Sequence, residues 1–143
     1  MTVIRDIMSK VVISVRPDAT LMDAVKTLTK HHISGAPVVT RGGDVVGFIS
    51  EPNLMDVIFD PSVRKAPVSD YMTPSVHVVD SQDPIATAAT MLAMYGVRRL
   101  PVVENGRFIG IVTRRDLLAY SLHNPEPLSE PILELIPQLA DHT

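Results

Sequence analysis

The sequence predicts an α+β protein: two β-α-β-β-α repeats packed as a pseudo-two-fold pair. Three observations predict it. Sliding the chain by 64 positions puts Met8 on Met72, Val12 on Val76, Val15 on Val79, Ala24 on Ala88, Leu28 on Leu92 and Pro37-Val38-Val39 on Pro101-Val102-Val103. Beyond Gly42 and Gly106 one residue drops out, and a shift of 63 pairs Gly47 with Gly110, Ile49 with Val112, Ser50 with Thr113, Asn53 with Asp116 and Leu54 with Leu117. Two copies, each longer than a solenoid unit, favour a closed pair over an open array. Each copy alone is short for burying a core, whereas 143 residues suit one compact domain.

The elements follow in order. Val11-Val12-Ile13-Ser14-Val15 is a β-branched run bounded by Arg16-Pro17-Asp18, a short strand and its turn. Thr20 N-caps a helix whose apolar face is Leu21, Ala24, Val25 and Leu28, running to Lys30 and the His31-His32 pair, and Gly35 lies near its release point. Pro37-Val38-Val39 and Val45–Ser50 are strands joined by the turn Thr40–Asp44, and Asn53 to Phe59 reads as a closing helix.

The second copy repeats that order. Val76–Val79 is the strand, Asp83-Pro84 the helix start with Asp as N-cap, Ala86 to Met94 the helix, and Gly96 its end. Leu100–Val103 and Arg107–Val112 flank the hairpin turn Glu104-Asn105-Gly106, and Thr113 caps a helix from Arg114 to about Leu122. Residues 60–67 make a crossing connection. The domain assignment is repeat 1 over 1–60, repeat 2 over 61–124 and an extension over 125–143. In the extension Ser129-Glu130-Pro131 restarts a helix with a stripe of Ile132, Leu135, Ile136 and Leu139, which either folds back on the chain or stabilises a dimer.

Composition narrows the function classes. A net charge of -3 lacks the basic excess of a phosphate-backbone binder, so nucleic acid is not expected. No apolar run approaches the roughly 20 residues of a membrane span, and the N-terminal stretch is interrupted by charge. A cytoplasmic protein without membrane insertion is the expectation. With no Cys, thiolate zinc sites and Cys nucleophiles are excluded. His31 and His32 are neighbours whose rings diverge and lack a partner at metal-ligand spacing, so they suit a helix C-terminus better than a metal. No nucleophile elbow, phosphate loop or dinucleotide fingerprint is present, so the chain is read as no enzyme and as needing no cofactor or metal.

The strings Ile33–Val39, Gly96–Val103 and Gly110–Leu117, in this order and at this spacing, resemble the core of the CBS (cystathionine β-synthase) domain from about Ile7 to Ala119. The resemblance implies a tandem pair packed through its sheets as a Bateman module, usually dimerised again into a disc of four repeats, and commonly sensing adenosine-containing ligands. A nucleotide needs an apolar slot for its base, an acceptor for its ribose hydroxyls, and cations or backbone donors for its phosphates. Thr113 at a helix N-terminus presents its hydroxyl and nearby N–H groups where the helix dipole favours an anion. Asp116, one turn in, can accept from both ribose hydroxyls as the family's motif does; an Asp in a first turn also stabilises the dipole without any ligand.

By the resemblance, the ribose Asp of one copy serves a base slot supplied by the other. Ile13, Ile33, Ser34, Gly35 and Pro37 are then the adenine-side wall, Gly35 allowing close approach to the backbone, although Ile13 and Ile33 also suit plain core packing. Arg98 and Arg99 stand at phosphate-contacting positions of related sensors, and Arg115 projects from the helix of Asp116; alternation assigns Arg98 rather than Arg99 to the ligand. The mirror-related position, with His77, Val97 and Pro101 on its base side, is chemically poorer. Asn53 replaces the Asp, Glu51 replaces Arg114 and Ser34 replaces Arg98, so one competent site per chain is expected. The expected function is a regulatory module that binds AMP, ADP or ATP in the cleft between its repeats, forms a homodimer and signals to an unidentified regulated protein. The alternatives are a CBS module for S-adenosylmethionine or cyclic di-AMP, and an interaction protein whose site is vestigial.

Overall fold

The computed structural model describes residues 2–10, 13–74 and 76–128, so the apolar stripe Ile132–Leu139 and the residues Val11 and Val12 of the first strand lie outside the described residues. Two compact units are formed. One gathers Ile13–Val76 with Gly106–Phe108; the other gathers the described residues up to 10, His77–Asn105 and residues 109–128.

The first unit contains α1 (Leu21–His31), β1 (Gly35–Val39), β2 (Val45–Ser50), α2 (Glu51–Leu54), α3 (Asp56–Phe59) and β3 (Thr73–Pro74). α1 begins where the Thr20 hydroxyl accepts the Asp23 N–H at 3.1 Å and the Asp23 carboxylate accepts the Thr20 N–H at 3.0 Å, which satisfies two donors a helix start leaves orphaned. It ends at His32, which takes the left-handed conformation (φ 53) in place of the more usual glycine. β1 is buried along its whole length and pairs antiparallel with β2, Gly35 opposite Ser50 and Val38 opposite Gly47, with β3 on the other side of β2. Of the expected first strand, Val15 pairs with Val38 in an isolated parallel bridge. The closing helix is not continuous. Met55 N–H reaches Pro52 O and Ile58 N–H reaches Met55 O, three-residue bonds that tighten the chain between α2 and α3.

The second unit contains β4 (Val79–Asp80), α4 (Ile85–Tyr95), β5 (Arg99–Glu104), β6 (Arg107–Thr113) from Ile109 onward, and α5 (Arg114–His123). β4 runs parallel to β5, Val79 opposite Val102, the counterpart of the Val15 and Val38 bridge. Pro84, not Asp83, is the N-cap of α4, because the Asp83 carboxylate turns back to accept the Asp80 N–H at 3.1 Å. The hairpin between β5 and β6 turns at Asn105 and Gly106, both at positive φ (53 and 78), as an Asn-Gly turn requires.

Each unit is completed by the segment that precedes the other repeat in sequence. Val68 N–H bonds Ala19 O and Ser69 N–H bonds Pro17 O in the first unit; Ile4 N–H bonds Asp83 O and Arg5 N–H bonds Ser81 O in the second. These pairs are counterparts under the shift of 64. Ile4 and Val68 are both fully buried, Ile4 in the core with Leu92, Leu100 and Val112, Val68 in the core with Leu21, Val38 and Ile49. The approach is close. A Cβ on Gly110 would lie 2.7 Å from Ser9 O, and one on Gly47 would lie 2.8 Å from Thr73 O, so both positions require glycine. In the second unit Arg5 also donates to Glu104 at 2.6 Å, and the buried Ser81 hydroxyl donates to the same Glu104 oxygen at 2.8 Å.

Candidate functional site

The start of α5 is built from a reciprocal pair. Thr113 leaves β6 in an extended conformation, its hydroxyl accepts the Asp116 N–H at 3.1 Å, and Asp116 Oδ2 accepts the Thr113 N–H at 2.8 Å. The carboxylate is therefore held in one orientation, half-buried, with Oδ1 lacking a hydrogen-bond partner among the described residues. An ionised carboxylate has about four lone-pair sites, so a group that has spent one of them keeps the capacity to accept two hydroxyls.

The segment after α4 is tied to that helix start. The Arg114 N–H donates to Arg98 O at 3.1 Å, and Arg114 Nε donates to Val97 O at 3.0 Å, tying the segment after α4 to the first turn of α5. Arg98, Thr113, Arg115 and Asp116 thus belong to one corner of the unit, Arg98 and Arg115 exposed there. Arg99 is the half-buried one of the pair, and burial lowers its guanidinium from the ordinary value, with the charge of Arg98 acting in the same direction. A guanidinium stays protonated regardless. The lowering marks Arg99 as a cation away from bulk water, beside an exposed second one.

In the other unit the base-side residues divide. Ile33 and Ser34 line a groove of about 480 Å³ together with Glu51, Leu54 and the end of α1. Ile13 is half-buried, whereas Pro37 is fully buried within β1. The space beside Gly35 is taken by the chain itself, since a Cβ there would lie 2.5 Å from Phe48 Cε1. Ser34 keeps the backbone position of its counterpart: the Glu51 N–H donates to Ser34 O at 3.0 Å, as Arg114 does to Arg98.

Asn53 is arranged differently from Asp116. Its single amide oxygen accepts both the Ser50 N–H and the Ser50 hydroxyl, each at 2.9 Å. The helix it starts, α2, has only four residues, which shortens the dipole. The pair that sequence reasoning missed lies in the β4–β6 unit: the rings of His77 and Tyr95 stack with centroids 3.5 Å apart and planes 7° from parallel. The two residues are 18 positions apart, and nothing in local periodicity pairs them. Among the described residues there is no cluster of three metal-ligating side chains and no helix long and apolar enough to cross a membrane.

The architecture is one plan used twice, a pair of repeats. The family model for the CBS domain matches residues 4–60 and again 68–123, and the chain belongs to that family. Among curated relatives, the uncharacterized protein MJ1225 of Methanocaldococcus jannaschii is 30% identical over 115 residues, covering 80% of this chain and 41% of the relative, so the chain spans less than half of that protein. Among solved structures, CBSX2 in complex with AMP is 29% identical with a TM-score of 0.76, covering 88% of this chain and 100% of the other; CBSX2 is from Arabidopsis thaliana. The CBS domain pair of protein MJ0100, in complex with 5-methylthioadenosine and S-adenosyl-L-methionine, is 28% identical with a TM-score of 0.70, covering 88% of this chain and 99% of the other.

Proposed function

We propose that this chain is a regulatory, non-catalytic module that takes up an adenine nucleotide (AMP, ADP or ATP) and passes the binding event to a partner protein. Asp116 is the ribose acceptor, Thr113 and the α5 N-terminus the anion-facing group, and Arg98 and Arg115 the phosphate cations. The observation that carries the reading is the reciprocal Thr113–Asp116 pair, which presents an oriented carboxylate at a helix N-terminus whose first turn is tied to Arg98 O through the Arg114 N–H. The AMP complex of CBSX2 supports the same ligand class.

Sensing requires that the ligand bind two states unequally, and the second state is supplied here by a partner or by a second copy. Exposed Met55, Ile58 and Phe59 on one closing helix pair, and Leu118 and Leu122 on its counterpart α5, are large apolar groups that a homodimer would cover.

S-adenosylmethionine is the second reading, supported by the MJ0100 complex. The cations separate the two: a phosphate gains from Arg98 and Arg115, whereas S-adenosylmethionine sets a sulfonium and an ammonium, which they repel, against its single carboxylate. Calorimetric titration with AMP and with S-adenosylmethionine tests this directly. The reading expects the nucleotide to bind more tightly, and tighter binding of S-adenosylmethionine would replace it with the second.

A further inference from the structure

The groove between α4 and α5, of about 510 Å³, and the groove between α1 and the α2–α3 pair are lined by repeat counterparts, Leu92 standing for Leu28 and Leu117 for Leu54. They differ in three respects. The walls of the α4–α5 groove are smaller, with Ala89, Ala93 and Ser121 where the other has Val25, Thr29 and Ile58. Its rim carries Arg114 where the other carries Glu51. It also receives Leu128, which has no counterpart in the other lining. After the exposed Glu126 and Pro127 the chain turns back, and Leu128 is half-buried against the core of the second unit.

We propose that residues 129–143, which lie outside the described residues, dock in the α4–α5 groove of their own chain, with Ile132, Leu135 and Ile136 placed where the small walls leave room. The inference does not rest on the nucleotide reading. Reach selects this occupant first: Ile132 follows Leu128 by four residues, so it is tethered within about 14 Å of a groove whose wall α4, eleven residues long, measures about 16 Å. Pattern selects it again. Ile132, Leu135 and Ile136 share one face of the helix that the sequence predicts from Ser129, and a narrow apolar face of large aliphatics suits a groove walled by alanine and serine. Charge then chooses between the two grooves. Residues 129–143 carry Glu130, Glu134 and Asp141 and no Lys or Arg, so Arg114 at the rim attracts them, whereas Glu51 at the rim of the other groove repels them. Arg114 donates to Val97 O through Nε alone, which keeps its terminal donors for this role. Docking within the chain takes Leu118 from a homodimer contact and leaves Leu122 and the repeat 1 groove to it.

The chain has no Cys, so an introduced pair reports this contact alone. In the full chain, Leu135→Cys is combined with Ser121→Cys or Ala93→Cys at the groove, and separately with Ala119→Cys, an exposed position on α5 that lines neither groove. Each pair is oxidised at micromolar protein. The expected product is a disulfide within one chain that forms about 10-fold faster at a groove position than at residue 119, because docking raises the local concentration above that of the tether alone. A second measurement needs no particular register. Amide exchange at Leu117, Leu118 and Ser121 should run about 10-fold faster in the triple variant Ile132→Ser, Leu135→Ser and Ile136→Ser than in the native chain, with Leu54 and Ile58 unchanged. Equal disulfide rates at residue 119, a disulfide joining two chains, or unaltered exchange in α5 overturns the inference and leaves the proposed function standing.

Discussion

At the end of β6 the backbone N–H of Thr113 meets a carboxylate, and at the end of β2 the backbone N–H of Ser50 meets an amide oxygen. Around these two bonds the units share one plan. The residue after each cap donates to the segment that follows the preceding helix, Arg114 to Arg98 and Glu51 to Ser34, and a glycine in each hairpin admits an exchanged segment. The chemistry laid on that plan differs. One corner carries Arg98, Arg99, Arg115 and Asp116 ahead of a ten-residue helix; the other carries Ser34, Gly35, Glu51 and Asn53 ahead of a four-residue one. The comparison teaches that duplication fixes the backbone donors, while the charge and hydrogen-bonding chemistry laid on them differs from unit to unit.

The shared plan can be broken first at the exchanged segments, where the largest effects lie. Ile4→Ala removes a fully buried side chain from the second unit and is expected to cost about 2–5 kcal/mol, read as a fall in the denaturation midpoint. Val68→Ala, its counterpart, removes one carbon fewer and should cost less. Gly110→Ala forces a Cβ against the Ser9 carbonyl and should loosen residues 4–9, seen as faster amide exchange at Ile4, Arg5 and Ser9. Unchanged exchange there would show that the segment is not held by this contact.

The chemical difference is sharpened by matched substitutions at the two caps. Asp116→Ala removes a charged acceptor and should weaken AMP binding about 10- to 100-fold, as charged hydrogen bonds of roughly 1.5–3 kcal/mol imply, whereas Asn53→Ala should change it less than about 2-fold. Equal losses at both positions would remove the asymmetry between the repeats.

Smaller still is the cap of α1. Thr20→Ala should cost about 1 kcal/mol. It also alters the acid limb of stability. The Thr20 N–H, and after it the Thr20 hydroxyl, hold the Asp23 carboxyl below the usual carboxylate range. A depressed folded-state value contributes stability above the unfolded value, and that contribution is lost as pH falls through the folded one. The native chain should therefore lose slightly more stability than Thr20→Ala between neutral pH and pH 3, measured by denaturant titration. Asp23 is exposed, so the difference is small. Breaking the Arg5–Glu104 ion pair, at the partly exposed edge of the second unit, should cost at most about 1 kcal/mol.

Much of this was legible in the chain because strands, caps and turns are local. Thr20, Thr113 and Asn105-Gly106 announce themselves within four residues, and the internal repeat then doubles each signal. The CBS family, the α+β repeats and the corner at Thr113–Asp116 follow from such signals. The exchange of leading segments was not legible, although Met8 falling on Met72 placed both segments inside the repeat, because which unit a segment completes is decided by tertiary packing. The break of the closing helix at Met55 escaped for a related reason: an apolar helical spacing from Asn53 to Phe59 looks the same whether its bonds close over three residues or four. Pro37 and Gly35 show the limit at the site. The family resemblance placed them on the base side, yet burial and the Phe48 ring take up their surfaces.

The most direct measurement is the calorimetric titration of AMP into the native chain beside Asp116→Ala. The account predicts saturation at one equivalent per chain, with the isotherm of the variant flattened at the same concentrations. Superimposable isotherms, or no heat from the native chain at millimolar AMP, would contradict the assignment of the α5 corner as the place where the ligand is read.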